Sequence, residues 1–242
     1  MPYTTLHLAN ENRVATITLD RPEARNALNI EMCLDLLAVS EKLSMDETVR
    51  VAFLRGAGPA FCAGADLKER ADKTKEWVRE RRMKAFAAYD ALEALPFPVI
   101  AVVHGAAMGA GVEMCTISDF VVATPEAIFG TPEAQRGTIG ATQRLAKIIG
   151  RGLAKDMMYT GRRLTAEEAR EAGLVSRVIQ KDSLEKEVAA IAASISSAPA
   201  LAMRQAKRCI SGAFEADRKG ALALEVAAID EQLAAGTWLG KK

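Results

Sequence analysis

The sequence predicts an α/β fold with a helical C-terminal part, and two observations predict it. Between Val14 and Phe129, short strand-like runs alternate with segments of helical spacing, the pattern of helices laid over a sheet. From Thr142 onward the pattern is almost wholly helical, apart from Val175–Ile179. No internal repeat and no low-complexity tract interrupts either part.

The elements follow in order. Val14–Leu19 alternates small or apolar residues with threonine, which reads as a strand, and Arg21-Pro22 ends it. Ile30–Leu43 carries Met32, Leu36, Leu37 and Leu43 at helical spacing. Val51–Leu54 is a short buried strand stopped by Gly56 and Gly58. Lys75–Leu95 reads as a long helix ending before Pro96 and Pro98. Val99–Val103 is continuously apolar, as a strand covered on both faces must be. A helix starts near Gly109-Ala110, and Phe120–Ala123 and Ala127–Phe129 are two further short strands. The tail contains three Ala-rich amphipathic helices, Ser183–Ser197, Ala200–Gly212 and Asp217–Ala234.

Composition narrows the function classes. The chain has 242 residues, half of them hydrophobic, enough to bury a sizeable core. Its 32 basic and 31 acidic residues nearly cancel, which argues against a dedicated nucleic-acid binder. Cys33, Cys62, Cys115 and Cys209 are widely separated and form no C-x-x-C pair, so no metal site and no disulfide framework is expected, in keeping with a reducing compartment. Met1–Asn10 is polar without an apolar signal core, and no apolar run reaches the length of a membrane span. The expected location is therefore the cytoplasm, with no membrane partner.

Two small-residue segments carry the chemistry. Phe61-Cys62-Ala63-Gly64-Ala65-Asp66-Leu67 and His104-Gly105-Ala106-Ala107-Met108-Gly109-Ala110-Gly111-Val112-Glu113 both have an apolar lead-in and residues small enough for backbone N–H groups to approach a ligand. Two convergent N–H groups form an oxyanion hole, which stabilises negative charge developing on a carbonyl oxygen. Ala110 is expected in the first helical turn, where its N–H has no internal partner and the helix dipole favours negative charge. Glu113 should lie about one turn into that helix, and Glu133 follows Pro132, whose fixed φ restricts the backbone. Two carboxylates beside an oxyanion hole suit proton transfer next to a thioester or similar carbonyl, and burial would raise a carboxylate pKa toward neutrality.

Arg25-Asn26-Ala27-Leu28, FCAGADL, the Gly-rich turn ending in Glu113, Phe129-Gly130-Thr131-Pro132-Glu133, Thr142-Gln143-Arg144-Leu145 and Ala172-Gly173-Leu174-Val175 occur in one order. In that order and at that spacing the chain resembles the crotonase (enoyl-CoA hydratase/isomerase) superfamily, from about Val14 to the final helix. The resemblance implies a crotonase-like ββα spiral core over residues 1–195 and a C-terminal helical trimerisation region over 196–242. It implies a homotrimer or a dimer of trimers. It implies an enoyl-CoA hydratase that adds water syn to a trans-2-enoyl thioester, giving a 3-hydroxyacyl thioester, with coenzyme A as part of the substrate and no separate cofactor. Ala65 and Ala110 would supply the oxyanion amides, Glu113 would activate the water and Glu133 would deliver the proton to the α-carbon. Both glutamates stand at the interval of the hydratases, whereas isomerases of the superfamily commonly keep only the second.

By the same resemblance, Arg25, Ala27, Ala63, Asp66, Leu67 and Lys68 line the coenzyme A pocket. Backbone groups of Ala27 and Ala63 would meet the adenine, and Lys68 or Arg25 the phosphates. GAGVEM lacks the G-x-G-x-x-G spacing, so NAD is not implied. His104 reads as structural, and Cys62 and Cys115 as small core fillers. The basic run containing Lys73, Lys75, Arg79, Arg81, Arg82 and Lys84 reads as a solvated face that helps steer an anionic coenzyme, in preference to an RNA contact. Two departures from the family pattern stand out: the loop Gly137–Thr142 is short, and the C-terminal end, where the resemblance implies an aromatic and a basic residue against a neighbour's coenzyme A, stops early, with Trp238 and Lys241 as the candidate substitutes. The alternatives are an isomerase or other acyl-CoA lyase on the same scaffold and, outside the class, an RNA-binding or scaffold protein without activity.

Overall fold

The computed structural model describes residues 3–236, and the candidate residues Trp238 and Lys241 lie outside them. A hairpin opens the fold. Strands β1 (Leu6–Glu11) and β2 (Val14–Leu19) pair antiparallel around Asn12 and Arg13, which both have positive φ (51° and 71°). Such a turn twists in the same sense as the strands it joins. Strands β3 (Val51–Gly56), β4 (Val99–Val103), β6 (Phe120–Ala123) and β9 (Arg177–Val178) follow in parallel, completing a six-stranded sheet of order β1-β2-β3-β4-β6-β9. A second, three-stranded sheet joins β5 (Ala106–Met108), β7 (Ile128–Gly130) and β8 (Arg163–Thr165), with β7 in the middle.

Strand β4 shows why its sequence is apolar without alternation. Val99, Ala101 and Val103 face the main core, whereas Ile100 and Val102 face a second cluster built from Leu184, Val188, Ile191 and Ala192 of α8 (Leu184–Ser197). Successive side chains point to opposite faces, so a strand covered on both must be apolar throughout. On the main-core face lie α1 (Ile30–Ser44), α3 (Lys75–Glu93) and α4 (Ala110–Ile117). Asn29 caps α1 by accepting from the Met32 amide at 2.9 Å, and Thr74 caps α3 by accepting from Trp77 at 3.2 Å. Between these helices, α2 (Leu67–Arg70) is a single turn that follows the first small-residue segment.

The expected elements are present; three strands and the single-turn helix α2 are added, and one strand is shortened. β1, β5 and β8 are strands that periodicity did not reveal. β1 buries only Leu6 and so lacks an alternating apolar face, while β5 and β8 have three residues each and exist through pairing with β7. The strand expected over Val175–Ile179 shortens to β9, although Ser176 and Ile179 donate to Val121 and Ala123 and extend the ladder at both ends.

After α5 (Gln143–Ile149), α6 (Arg151–Thr160) and α7 (Ala166–Glu171), the tail closes with α9 (Ala200–Ala213) and α10 (Arg218–Ala234), which pack on each other. Lys207 fastens α9 to the core through Asp119 (2.9 Å) and the Phe97 carbonyl (3.1 Å). Along this hairpin Ile210, Phe214, Leu222, Val226, Ile229 and Leu233 remain exposed. No helix among the described residues is long and apolar enough to cross a membrane.

Candidate active site

The first small-residue segment is laced between two others. Cys62 donates to the Ala106 carbonyl and accepts from Met108, Ala63 donates to Arg25, and Asp66 donates to Leu28. Leu28 in turn donates to Gly64. This lacing consumes the backbone groups on either side of Ala65 but leaves the Ala65 N–H without an acceptor among the described residues. Ala110 is in the same condition for a different reason. It opens α4, and the first amides of a helix have no carbonyl one turn earlier. The segments that end in these two alanines are bridged at Cys62 and Ala107. Both small residues at the crossing are required: Gly64 (φ +102°) would press a Cβ to 3.1 Å from the Met108 carbonyl, and a Cβ on Gly109 (φ +50°) would collide with the Glu133 carboxylate. Ala110 itself is absent from the positive-φ residues, so its methyl group carries no backbone penalty.

The two glutamates come together from different elements. Glu113 projects from the first turn of α4, and Glu133 stands just after β7, where Arg136 and Thr138 donate back to its carbonyl. Glu113 is buried and faces four donors, with Oε1 held closely and Oε2 contacted only at longer range. Oε1 receives Arg82 Nη2 and the Ala141 amide, each at 3.0 Å, and Oε2 faces Arg82 Nη1 at 3.4 Å and the Tyr89 hydroxyl at 3.5 Å. Burial first, and the neighbouring Glu113 charge second, push the Tyr89 phenol well above its ordinary range, so it remains a donor. Glu133 is the opposite case. Its Oε2 is buried with no partner. Burial is the main cause that raises its pKa, Glu113 adds to it, and its own amide together with Arg82 and Arg136 oppose it without cancelling it.

The residues expected to hold the thioester handle form the rim beside the first segment. The Ala27 and Ala63 amides are already engaged by Ala24 and Arg25, so it is their carbonyls that could meet an adenine. The Ala27 carbonyl also accepts from Arg21. Asp66 is committed internally, capping α2 through Lys68 and Glu69 and pairing with Arg21 at 3.0 Å. Burial raises its pKa, but the Glu69 amide and Arg21 outweigh that and hold it below the ordinary carboxylate range. Arg25, Leu67 and Lys68 are exposed on this rim. Asn26, between them, is fully buried and satisfies Arg21 N, Ala57 O and Ala60 O, which pins the whole motif. His104 contacts the Gly58 carbonyl at 2.8 Å, and Cys62 and Cys115 are buried in the core, the Cys62 thiol pushed up to about 12 by burial.

The basic run on α3 requires a correction. Arg81 and Arg82 are not part of a solvated face. Arg81 is 3% exposed, donates to the Leu28 carbonyl and pairs with Glu69, while Arg82 pairs with Glu113. The signal was available: the buried stripe Leu92, Ala88 and Ala85, continued by one helical turn, arrives at Arg81, with Arg82 on the adjoining flank. A cation on an apolar stripe needs a buried partner.

The enoyl-CoA hydratase/isomerase family profile matches residues 9–235. A Mycobacterium bovis protein named "Probable enoyl-CoA hydratase echA8" is 38% identical over 228 residues, covering 93% of this chain and 88% of the relative. The short-chain-enoyl-CoA hydratase of Clostridium acetobutylicum is 35% identical over 228 residues, covering 93% and 87%. The crystal structure of an enoyl-CoA hydratase from Bacillus anthracis superposes with a TM-score of 0.90 at 36% identity, covering 94% of this chain and 90% of that one.

Proposed function

The chain belongs to the enoyl-CoA hydratase/isomerase family, and on that premise we propose that it is an enoyl-CoA hydratase, a hydro-lyase acting on trans-2-enoyl-CoA thioesters. The observation that carries this reading is the meeting of two inward-facing glutamates beside two amides that have no internal acceptor. The thioester oxygen accepts from Ala65 N–H and Ala110 N–H, which withdraws electron density from the β-carbon. Water oxygen then bonds to the β-carbon, its departing proton passes to Glu113, and Glu133 gives a proton to the α-carbon on the same face. Return of the proton from Glu113 to Glu133 resets the pair, so the net change is one water added. Burial raises the pKa of Glu133, the direction that favours a proton donor.

Coenzyme A enters as part of the substrate, along the rim of Arg25, Ala27, Ala63, Asp66, Leu67 and Lys68. The exposed apolar residues of α9 and α10 support assembly into a homotrimer or a dimer of trimers. A second reading, an enoyl-CoA isomerase, is favoured by one feature: Glu113 is the more heavily hydrogen-bonded of the two, which leaves Glu133 as the freer acid. A panel of trans-2-enoyl-CoA thioesters, followed by loss of enone absorbance, tests the proposal. Hydration with 3-hydroxyacyl product is expected. Inertness toward the whole panel, with conversion of 3-enoyl to 2-enoyl thioesters, would replace it with the second reading.

A further inference from the structure

Arg82 has no role in the mechanism just given, yet its guanidinium grips Glu113 with both terminal nitrogens, at 3.0 and 3.4 Å. We propose that Arg82 is a positioning residue: it clamps the Glu113 carboxylate against the Ala141 amide and the Tyr89 hydroxyl, so that Glu113 meets the water in one fixed orientation and Glu133 is left to carry the proton. The inference rests on the hydratase reading and assigns that site a third charged member.

Three observations support it. The guanidinium is held on its other side by the Phe86 ring, 4.8 Å from its centroid and one turn along α3, so Arg82 is braced before it meets Glu113. The missing side chain at Gly140 makes room for it. A Cβ at Gly140 would stand 2.7 Å from Arg82 Nη2 and 3.3 Å from Glu133 Oε1, so any larger residue there would displace either the clamp or the second acid. The same loop delivers the Ala141 amide to Glu113, which links the shortening noted in the sequence to the arginine that fills the space. A planar fork matched to a carboxylate fixes orientation as well as charge.

The groups facing the pair are Arg82 and Tyr89 from α3, Glu113 from α4, Glu133 and Arg136 from the segment after β7, and Cys62 from the first small-residue segment. Arg82 alone among these makes an ion pair with Glu113.

The test compares R82M and R82K with the wild type in kcat, KM and the pH dependence of kcat, with thermal unfolding as the control for folding. In R82M, kcat for hydration is expected to fall by about 10²-fold, the low end for a misaligned acid–base group, while KM stays close to wild type. The pH limbs of kcat should move in R82M and return toward wild type in R82K, which restores charge but not the fork. If R82M does not fold, R82Q takes its place with the same expectations. Wild-type kcat and pH limbs in the uncharged variant would overturn the proposal, as would a rise in KM at unchanged kcat, which would make Arg82 a substrate contact. A crystal structure of the uncharged variant separates this from the activity reading. The Glu113 carboxylate should leave the Ala141 amide or Tyr89. An unmoved Glu113 refutes the clamp whatever the reaction, and a wild-type enzyme inert on every enoyl thioester refutes the activity while the Glu113 pose still decides the clamp.

Discussion

Glu133 and Glu113 are the same residue type a few ångströms from one guanidinium, and their surroundings divide the work. Glu113 is surrounded by donors, whereas Glu133 is half-buried with a buried oxygen, Oε2, that nothing among the described residues satisfies. Replacing Glu133 by Gln is expected to lower kcat by roughly 10²–10⁴-fold, the usual contribution of a positioned acid or base, with thioester binding nearly intact; steady-state hydration and a binding titration check both parts. The same substitution has a pH signature. The folded-state pKa of Glu133 lies above its ordinary 4.5, so the stability tied to its protonated form is complete below that value and is lost as pH rises through the folded pKa. Urea unfolding at acid and at neutral pH should therefore show E133Q gaining stability relative to wild type as pH rises, and a constant difference would contradict the burial argument. That Glu113 and Glu133 belong together could be expected from motif order. That Arg82 belongs with them could not be read from charge pattern, because a run of arginines and lysines resembles any solvated helix until the apolar stripe is traced through it.

At the scale of elements, the two amides proposed as oxyanion donors are by-products of how segments are joined. Ala65 is left over where one loop is laced to two others, and Ala110 is left over because a helix begins there. Position 110 allows a clean test. Proline is tolerated at the first residue of a helix, where its missing N–H breaks no internal bond. A110P should therefore preserve α4 yet remove the donor, lowering kcat by about 10²–10³-fold, or about 2.7–4 kcal/mol. Near-normal turnover with an intact circular dichroism spectrum would exclude that amide from the reaction. Asn26 tests the other side of the site. Its side chain satisfies three backbone groups, all at least partly buried, so N26A should cost on the order of 2–3 kcal/mol, read as a lower thermal midpoint with weakened thioester binding.

At the scale of the molecule, the α9–α10 hairpin leaves a row of large apolar side chains on the surface, with Phe214 at 68% and Ile210 at 65% exposure. A contiguous row of this kind marks an association surface. On the proposed homotrimer or dimer of trimers, F214E combined with I229E is expected to reduce the mass measured by light scattering toward that of one chain. An unchanged assembly would place the contacts elsewhere. By itself the sequence determined the helices and strands whose apolar period is strong, the both-faces-covered strand β4, and the order of the motifs that frame the site, because these depend on neighbours within one or two turns of chain. Only the tertiary structure decided which amides remain unpaired, that β1, β5 and β8 are strands, and that Arg82 closes on a carboxylate 31 residues away. The reason is physical: hydrogen bonds and buried ion pairs are completed by whichever distant segment is brought alongside, and no local pattern of residues states which one that is.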